Sequence, residues 1–404
     1  MSTSLLYHGW GIRGYNYVKT SYVNGAIMFK IYQDPQTVRC SNCGSGRVLP
    51  RGQIDRTFRS LGIGSKPVNI LFPIPRVYCT DCKKTRQVRI GFADRRRSYT
   101  RSFERYALEL SAHMTIQAVA NHLRVSWDVI KDIQKRHLRR HFQRPRLKDL
   151  KRIAIDEISI GKAHRYLTVV LDIDSGAVVF VGEGKGADSL TRFWKKLRCA
   201  GTQIEAVATD MSPAYTFAVR NNLPNAKHVF DRFHVIKLYN DKLSDLRRNV
   251  QQTAETVEQK QVVKGTRWLL LKNPSNLDKK RKERERLDDA LRINQPLATA
   301  YYMKEDLREF WNQKDKRTAT EYLDDWIARA ESSGISMLKK FARTLILHRV
   351  GLLAWYDYPI STGPLEGTNN KIKTMQRQAY GYRDQEFFRL KIFAIHKAKY
   401  ALVG

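Results

Sequence analysis

The sequence of 404 residues lacks a run of apolar residues long enough to cross a bilayer, and its first ten residues lack the pattern of a signal peptide. A bacterial cytosol or a nucleus fits these absences. Acidic side chains are also scarce, with 39 Asp and Glu against 73 Lys and Arg. The resulting net charge of +34 is larger than solubility requires and indicates a polyanionic partner. Nucleic acid is the leading candidate, and an anionic membrane is the rival.

The positive charge is concentrated towards the N-terminus. Residues 1–150 contain 28 Lys and Arg against 9 Asp and Glu, so +19 of the +34 lies there. With 42% hydrophobic residues, the chain can bury several cores, and its length predicts two to four domains. The uneven charge predicts that a separate DNA-binding region precedes the rest.

Cysteine is scarce as well, with only five in the chain. Four of them form two pairs with CxxC spacing: Cys40 with Cys43, and Cys79 with Cys82. Each pair can turn two thiolates towards one cation, and two pairs supply the tetrahedral ligands of zinc, as in zinc ribbons. The alternatives are disulfides, which would require secretion, and a chance pairing of thiols. We predict a zinc-ribbon-like DNA-binding module over residues 1–92 and expect Cys199, the fifth cysteine, in a core.

Helical periodicity follows an arginine-rich linker. Apolar residues recur at helical spacing after Thr115 and again after Ser126, with a break between the two runs. This pattern predicts two helices with Thr115 and Ser126 as their N-caps. We assign them to a helix-turn-helix domain over residues 93–148. Its second helix would lie in a major groove. A helical linker with a solvated basic face is the alternative, because the turn lacks the usual glycine. The expected DNA contacts of this region are Arg95, Arg96, Arg97, Lys131, Lys135, Arg139 and Arg140.

Strand patterns begin near Lys151. Three apolar strands separated by turns are followed by a helix, a fourth strand, a second helix and a fifth strand. This order is typical of an RNase H-like domain. The first and fourth strands of that topology are neighbours, so Asp156 and Asp210 would approach each other across 54 positions. Glu157 points to the other face of its strand and is the alternative to Asp156, which we choose because Ala154 and Ile158 share its face.

A third acid lies at the start of a C-terminal helix. Helical spacing places Glu366, Asn369, Asn370 and Lys373 on one face, a combination that suits a metal ion and a phosphate backbone together. Gathered carboxylates repel one another unless a cation is bound, and hard oxygen ligands select magnesium or manganese. With two such ions, a site of this kind can activate water or a 3′-hydroxyl for in-line attack on a phosphodiester.

The chain resembles insertion-sequence transposases of the ISL-three family. Five stretches carry the resemblance: Ile155–Ile160, His164–Thr168, Ala208–Tyr215, Val229–Lys237 and Gly363–Lys371. It covers nearly the whole chain, including the cysteine-containing segment and the helix-turn-helix. The family implies a DDE transposase with an RNase H-like core, in which Asp156, Asp210 and Glu366 are the catalytic, metal-binding acids. Lys373 matches the basic residue that such enzymes often carry seven positions after the glutamate.

Asp231 and His234 resemble a DxxH element found in several DDE superfamilies. It would support the site or hold end DNA; the alternative is a structural Asp–His hydrogen bond. The long interval before Glu366 predicts an insertion domain. The expected fold is a multidomain α/β protein: an RNase H-like catalytic core with an all-helical insertion, preceded by the zinc-ribbon-like module and the helix-turn-helix. The core comprises residues 149–244 and 357–404, and the insertion residues 245–356.

Trp268 lies among cations in this insertion and could stack on an unpaired base, but three leucines follow it. Tryptophan beside leucines usually packs, so we expect it in the core.

The expected function is that of a DNA transposase that binds terminal inverted repeats, cuts at the ends and joins the 3′-hydroxyl to target DNA. Its expected DNA partners are double-stranded element ends and double-stranded target DNA. We also expect it to form a dimer or a larger synaptic complex with copies of itself, and we expect no membrane partner. The expected location is the bacterial cytoplasm, at the nucleoid. The alternatives are a DNA-binding regulator derived from a transposase, and an RNase H-like nuclease acting on branched DNA. The three acids and Lys373 argue against the regulator, since binding does not need them.

Overall fold

The computed structural model describes residues 4–161 and 165–396, so His164 of the second resembling stretch lies outside the described residues. The chain divides into two compact units, one ending at Arg140 and the other beginning at His141. None of the helices in the described part is long and apolar enough to cross a membrane.

The first unit is built on a five-stranded sheet. A short helix, α1 (Leu5–Trp10), precedes the strands β1 (Asn16–Val23), β2 (Ala26–Tyr32), β3 (Val48–Ile63), β4 (Lys66–Cys79) and β5 (Thr85–Gln87). The strand order is β1-β2-β4-β3, with β5 also paired to β4. The long β3–β4 hairpin lies between the two cysteine pairs. Its core contains Phe58 and Phe72, which pack edge-on against Phe92 with ring centroids 5.2 and 6.0 Å away.

Three helices follow in the same unit: α2 (Arg101–Leu110), α3 (Ile116–Leu123) and α4 (Trp127–Phe142). The Thr115 hydroxyl accepts a hydrogen bond from the Ala118 N–H at 3.2 Å, which confirms it as the N-cap of α3. Arg124 ends that helix in the left-handed conformation, with φ of +51°, and so takes the place of the missing glycine. Phe103 of α2 is buried against the other two helices, so the predicted pair belongs to a three-helix cluster.

The second unit begins with another five-stranded sheet. Its elements are β6 (Arg152–Gly161), β7 (Arg165–Asp172), β8 (Val178–Glu183), α5 (Thr191–Ala200), β9 (Ala206–Thr209), α6 (Pro213–Asn222) and β10 (Lys227–Phe230). The order across the sheet is β10-β9-β6-β7-β8. Strands β6, β7 and β8 form an antiparallel meander, whereas β9 is parallel to β6 and β10 is parallel to β9. The first and fourth strands of this unit are therefore neighbours, as the sequence predicted.

Helices make up the rest of the second unit. They are α7 (Arg232–Thr253), α8 (Val257–Val263), α9 (Arg267–Leu271), α10 (Glu283–Ile293), α11 (Gln295–Glu309), α12 (Lys316–Ser332), α13 (Ser336–Leu353), α14 (Gly363–Gln378) and α15 (Gln385–Phe393). Helices α7 and α9 to α13 share a core that includes Trp326, whose indole N–H donates to the Met303 carbonyl at 2.9 Å. The last two helices cover one face of the sheet, because Ile372 and Phe388 pack with Ala154 and Ile158 of β6. This packing brings the C-terminal acid to the strand that carries Asp156.

Candidate functional site

Two acids lie side by side on neighbouring strands: Asp156 within β6, and Asp210 directly after β9. Strands β6 and β9 pair with a constant offset of 54 residues, so that Arg152 faces Ala206 and Ala154 faces Ala208. The same offset, carried two residues further, brings Asp210 level with Asp156. Burial raises the pKa of Asp156, and the Asp210 carboxylate raises it further, while His234 acts in the opposite direction. The two carboxylates are therefore close enough to repel each other.

Hydrogen bonds fix both oxygens of Asp156. The backbone N–H of Glu157 donates to Oδ1, and the side-chain amide of Asn369 donates to Oδ2, each at 2.8 Å. Asn369 belongs to α14 and is 6% exposed. The sequence placed it on the same helix face as Glu366, but assigned it no role. The three-residue spacing between Glu366 and Asn369 could have indicated this contact, because a residue one turn after a predicted metal ligand lies on the same face of the helix.

Glu366 is exposed in the first turn of α14, one turn before Asn369. The contact between Asn369 and Asp156 therefore brings the Glu366 end of the helix next to the strand with Asp156. Over residues 4–161 and 165–396, three or more potential ligand atoms lie within reach of one ion only at the cysteines described below. Among these residues, the three acids therefore do not bring their carboxylate oxygens together around one point.

Asp231 joins the sheet to the start of α14. Its side chain is 1% exposed and follows β10 directly. One carboxylate oxygen accepts from the Phe233 N–H and so caps α7, and the other accepts from the Thr362 N–H, each at 3.1 Å. Both bonds are to backbone amides and neither is to His234, which acts on Asp156 instead. Asp231 thus links the end of β10 to the start of α14, and the alternative Asp–His hydrogen bond is not formed.

Glu157 lies on the other side of β6. Its Oε2 accepts a hydrogen bond from the Tyr215 hydroxyl of α6 at 3.4 Å. Burial raises the pKa of Glu157, and Asp210 raises it further, whereas Lys185 lowers it. The Asp210 carboxylate therefore raises the pKa of both Asp156 and Glu157. Asp156 is hydrogen-bonded to α14, the helix that carries Glu366, whereas Glu157 is hydrogen-bonded to α6.

The four paired cysteines form a compact cluster in the first unit. Their sulfur atoms all lie within 4.8 Å of one another, with Cys40 Sγ 3.7 Å from Cys82 Sγ and Cys43 Sγ 3.6 Å from Cys79 Sγ. Four thiolates about 2.3 Å from a tetrahedral ion would be about 3.8 Å apart. Backbone amides of Cys43 and Asn42 lower the pKa of the Cys40 thiol to about 6, whereas the neighbouring Cys79 thiol raises the pKa of Cys43. The cysteines are free, so the cluster fits a metal and not disulfides.

Cys199, the fifth cysteine, is exposed, and the prediction that it lies in a core is wrong.

Arginines gather between the linker and α4. A cavity of about 610 Å³ is lined by Asp94, Arg95, Arg97, Arg136, Arg139 and Arg140. Two of these arginines hold the unit together, because Arg97 pairs with Asp132 at 2.9 Å and Arg136 with Glu104 at 2.5 Å. Arg95, Arg96, Arg139 and Arg140 are exposed, and Lys131 and Lys135 are half-buried along α4.

Two family models match this chain. Residues 153–392 match one described as "Transposase", and residues 88–138 match the "Helix-turn-helix domain of transposase family ISL3". The first match runs from β6 to α15 and spans more than half of the chain. The chain belongs to the ISL3, or ISL-three, family of transposases. Both the resemblance and the helix-turn-helix of the sequence analysis are confirmed.

Individual relatives agree with this assignment. The transposase is 34% identical over 369 residues, 90% of each chain, to "Transposase for insertion sequence element IS1001" of Bordetella parapertussis. It is 30% identical over 373 residues to "Transposase for insertion sequence element IS1557" of Mycobacterium tuberculosis, covering 86% of this chain and 83% of the relative. Among solved structures it is similar to the "Drosophila P element transposase strand transfer complex", with a TM-score of 0.40 and 13% identity over 76% of this chain and 94% of that one. That likeness is too low for us to base an inference on it.

Trp268 of the transposase does not pack in the core, so our prediction for it is wrong. Its side chain is 66% exposed, whereas the next two residues, Leu269 and Leu270, are buried. Helix α9 is only five residues long, and the two buried leucines among its three pack against the helical core. Trp268 therefore faces outwards, with the Arg267 guanidinium 5.0 Å from its ring centroid.

Proposed function

We propose that this transposase binds the terminal inverted repeats of its element through the first unit, and that Asp156, Asp210 and Glu366 hold magnesium or manganese for strand cleavage and strand transfer. One observation carries the proposal: the 2.8 Å hydrogen bond from Asn369 to Asp156, which joins the helix of Glu366 to the strand beside Asp210. The strand order of the second unit supports an RNase H-like core.

Side chains of the second unit fit the chemistry of that ion. The three carboxylates offer the hard oxygen ligands that magnesium prefers. When bound, the ion would supply Lewis acidity and activate water or a 3′-hydroxyl for attack on a phosphodiester. The bonds from Glu157 and Asn369 orient Asp156, and the bond from Thr362 to Asp231 holds the start of the Glu366 helix.

Exposed groups next to the acids would hold the DNA. Asn370 and Lys373 are exposed on α14, and we propose that they contact the phosphates beside the scissile bond. The exposed Trp268 would stack on a base left unpaired at the element end. His234 lies close enough to lower the pKa of Asp156 and would support the site.

The first unit would supply recognition. Zinc in the four-cysteine cluster would fix the ends of β4 and of the loop after β2, and α4 would enter a major groove. The arginines around the cavity would contact phosphates on either side. Because two ends must be processed together, we propose a dimer or a larger synaptic complex, acting on nucleoid DNA in the cytoplasm.

A cellular excision assay tests this function. A marker flanked by the DNA that borders the gene is supplied with the natural protein, with Glu366→Gln or with Asp210→Asn. We expect both variants to lose excision and to bind the ends normally. Glu331→Gln, an exposed acid of α12, is the matched control and should excise normally. Full excision by Asp210→Asn would overturn the proposed site. Tight end binding by all proteins without any excision would favour the regulator, and cutting of branched DNA of any sequence would favour the nuclease.

A further inference from the structure

Asn369 has an unusual environment for an amide. It is 6% exposed on α14, and its Nδ2 donates to Asp156 Oδ2 at 2.8 Å across 213 positions of sequence. Its other polar atom, Oδ1, is buried without a hydrogen-bond partner among the described residues. One N–H of this amide is therefore bonded to a carboxylate, and its carbonyl oxygen is unsatisfied.

Packing alone does not explain an asparagine here. A buried polar atom without a partner costs about 1–3 kcal/mol, which an apolar side chain would avoid. The same helix buries Leu365 and Ile372, so this face of α14 accommodates apolar side chains. The contribution of Asn369 therefore lies in its bond to a carboxylate, and hydrogen bonds to charged groups are the stronger ones.

The bond decides which lone pairs of Asp156 are left. A carboxylate offers about four lone-pair directions, two on each oxygen. The Glu157 N–H occupies one on Oδ1, and the Asn369 amide occupies one on Oδ2. One direction on each oxygen then remains for a cation.

We propose that Asn369 is a positioning residue of the metal centre, which holds the Asp156 carboxylate in the orientation that receives the divalent ion. The inference rests on the proposed metal-dependent function and deepens it, because it assigns to the hydrogen bond from Asn369 an effect on metal affinity. Partners that orient metal ligands typically change metal affinity by about 10–100-fold when they are removed.

The chain contains a matched control for a merely structural role. Gln376, two turns further along α14, also donates from its side-chain amide to β6, to the Ile160 carbonyl at 2.5 Å. It anchors the same helix to the same strand, but its bond does not involve an acid. Gln376→Ala therefore removes an anchor of α14 and leaves Asp156 untouched.

The test measures Mn²⁺ binding to the zinc-loaded protein by electron paramagnetic resonance, together with thermal unfolding and the Mg²⁺ dependence of end cleavage. Asn369→Leu keeps the branched outline of the side chain and removes both of its polar atoms, and thermal unfolding establishes that the variant is folded before its Mn²⁺ affinity is compared. We expect it to bind Mn²⁺ about 10-fold or more weakly and to need correspondingly more Mg²⁺. Gln376→Ala should lose thermal stability and keep its Mn²⁺ affinity.

The Asp156→Asn variant distinguishes the proposed metal-dependent function from the positioning role of Asn369. Unchanged Mn²⁺ binding by Asp156→Asn would overturn the proposed function itself. Weakened binding by Asp156→Asn, combined with natural affinity in Asn369→Leu, would overturn only the positioning role of Asn369. Equal losses of affinity in Asn369→Leu and Gln376→Ala would also overturn it, since the residue would then act only by holding the helix.

Discussion

Asp231 and Thr362 are hydrogen-bonded across 131 positions of sequence, with the Thr362 N–H donating to the buried Asp231 carboxylate at 3.1 Å. Thr362 directly precedes α14, and Asp231 directly follows β10. The bond therefore fixes the start of the helix that carries Glu366 to the end of a sheet strand. The DxxH element thus has a structural task that its four residues alone would not reveal.

Removing this bond should inactivate the protein without affecting DNA binding. Asp231→Ala loses the N-cap of α7 and leaves the Thr362 N–H unpaired, so we expect a loss of about 1–3 kcal/mol in stability and a large loss of excision. Asp315→Ala is the control, because Asp315 caps α12 through the Thr318 N–H at 2.8 Å without contacting α14. Thermal unfolding and excision are measured for both. Similar excision by the two variants would show that Asp231 serves only as a cap.

The four-cysteine cluster should bind one zinc ion per chain. Cys40→Ser or Cys79→Ser removes a buried ligand, so we expect metal analysis to find the zinc lost and the affinity for element ends to fall. Cys199→Ser, at an exposed thiol outside the cluster, should retain both. Absence of zinc from the natural protein, or normal end binding by the cluster variants, would contradict the zinc assignment.

The exposed arginines at the end of α4 should contribute to the affinity for DNA of any sequence. Arg139→Ala and Arg140→Ala should each weaken binding to all DNA and reduce the slope of log affinity against log salt by about 1. Arg317→Ala, at an exposed arginine of α12 paired with Glu321, should leave the slope unchanged. Arg97→Ala should instead lower stability, because Arg97 pairs with Asp132. Binding assays at several salt concentrations check these outcomes, and an unaltered slope in both α4 variants would exclude phosphate contacts there.

Trp268 should affect DNA structure and not folding. Because its ring is exposed, Trp268→Ala should change stability by less than about 0.5 kcal/mol, whereas Leu270→Ala, at a buried site, should cost about 2–5 kcal/mol. Loss of a base stack should weaken binding to ends with an unpaired base by about 1–3 kcal/mol. Fluorescence of 2-aminopurine at the element end reports the stack, and Trp268→Phe should retain most of it. Identical fluorescence with the alanine variant would rule out base stacking.

His228 should make the second unit sensitive to acid. Its Nε2 is 2.7 Å from the Thr209 hydroxyl, and burial lowers the pKa of His228 to about 4 from its usual 6.5. The unfolded chain then binds the proton more readily, so this contribution to stability is complete above pH 6.5 and is lost as pH falls towards 4. We expect a loss of about 2 kcal/mol between pH 7 and pH 5. In urea unfolding, His228→Gln should lack this loss of stability between pH 7 and pH 5. His122→Gln, at an exposed histidine, should still show it. Equal pH dependence in both variants would contradict the assignment.

Local patterns predicted much of this structure. Thr115 was recognisable as a cap because the bond it makes is to a residue three positions away. Asp156 and Asp210 were recognisable because each closes a run of apolar residues typical of a strand, and the order of strands and helices then made the two strands neighbours.

Other features depend on contacts that no local pattern encodes. Helix α3 ends in a left-handed arginine, Arg124, where a sequence pattern favours glycine. The exposure of Trp268 follows from which side of a short helix meets the core. The partners of Asp231 and Asn369 lie more than a hundred positions away, and only the folded chain identifies them.

The position of α14 so late in the chain has a consequence for the order of events during synthesis. The first unit is complete at Arg140, but the helix with Glu366 begins about 220 residues later. At about 5–20 residues per second, a ribosome needs roughly 10–45 s to cover that interval. A nascent chain could therefore engage DNA close to its own gene well before it is able to cut.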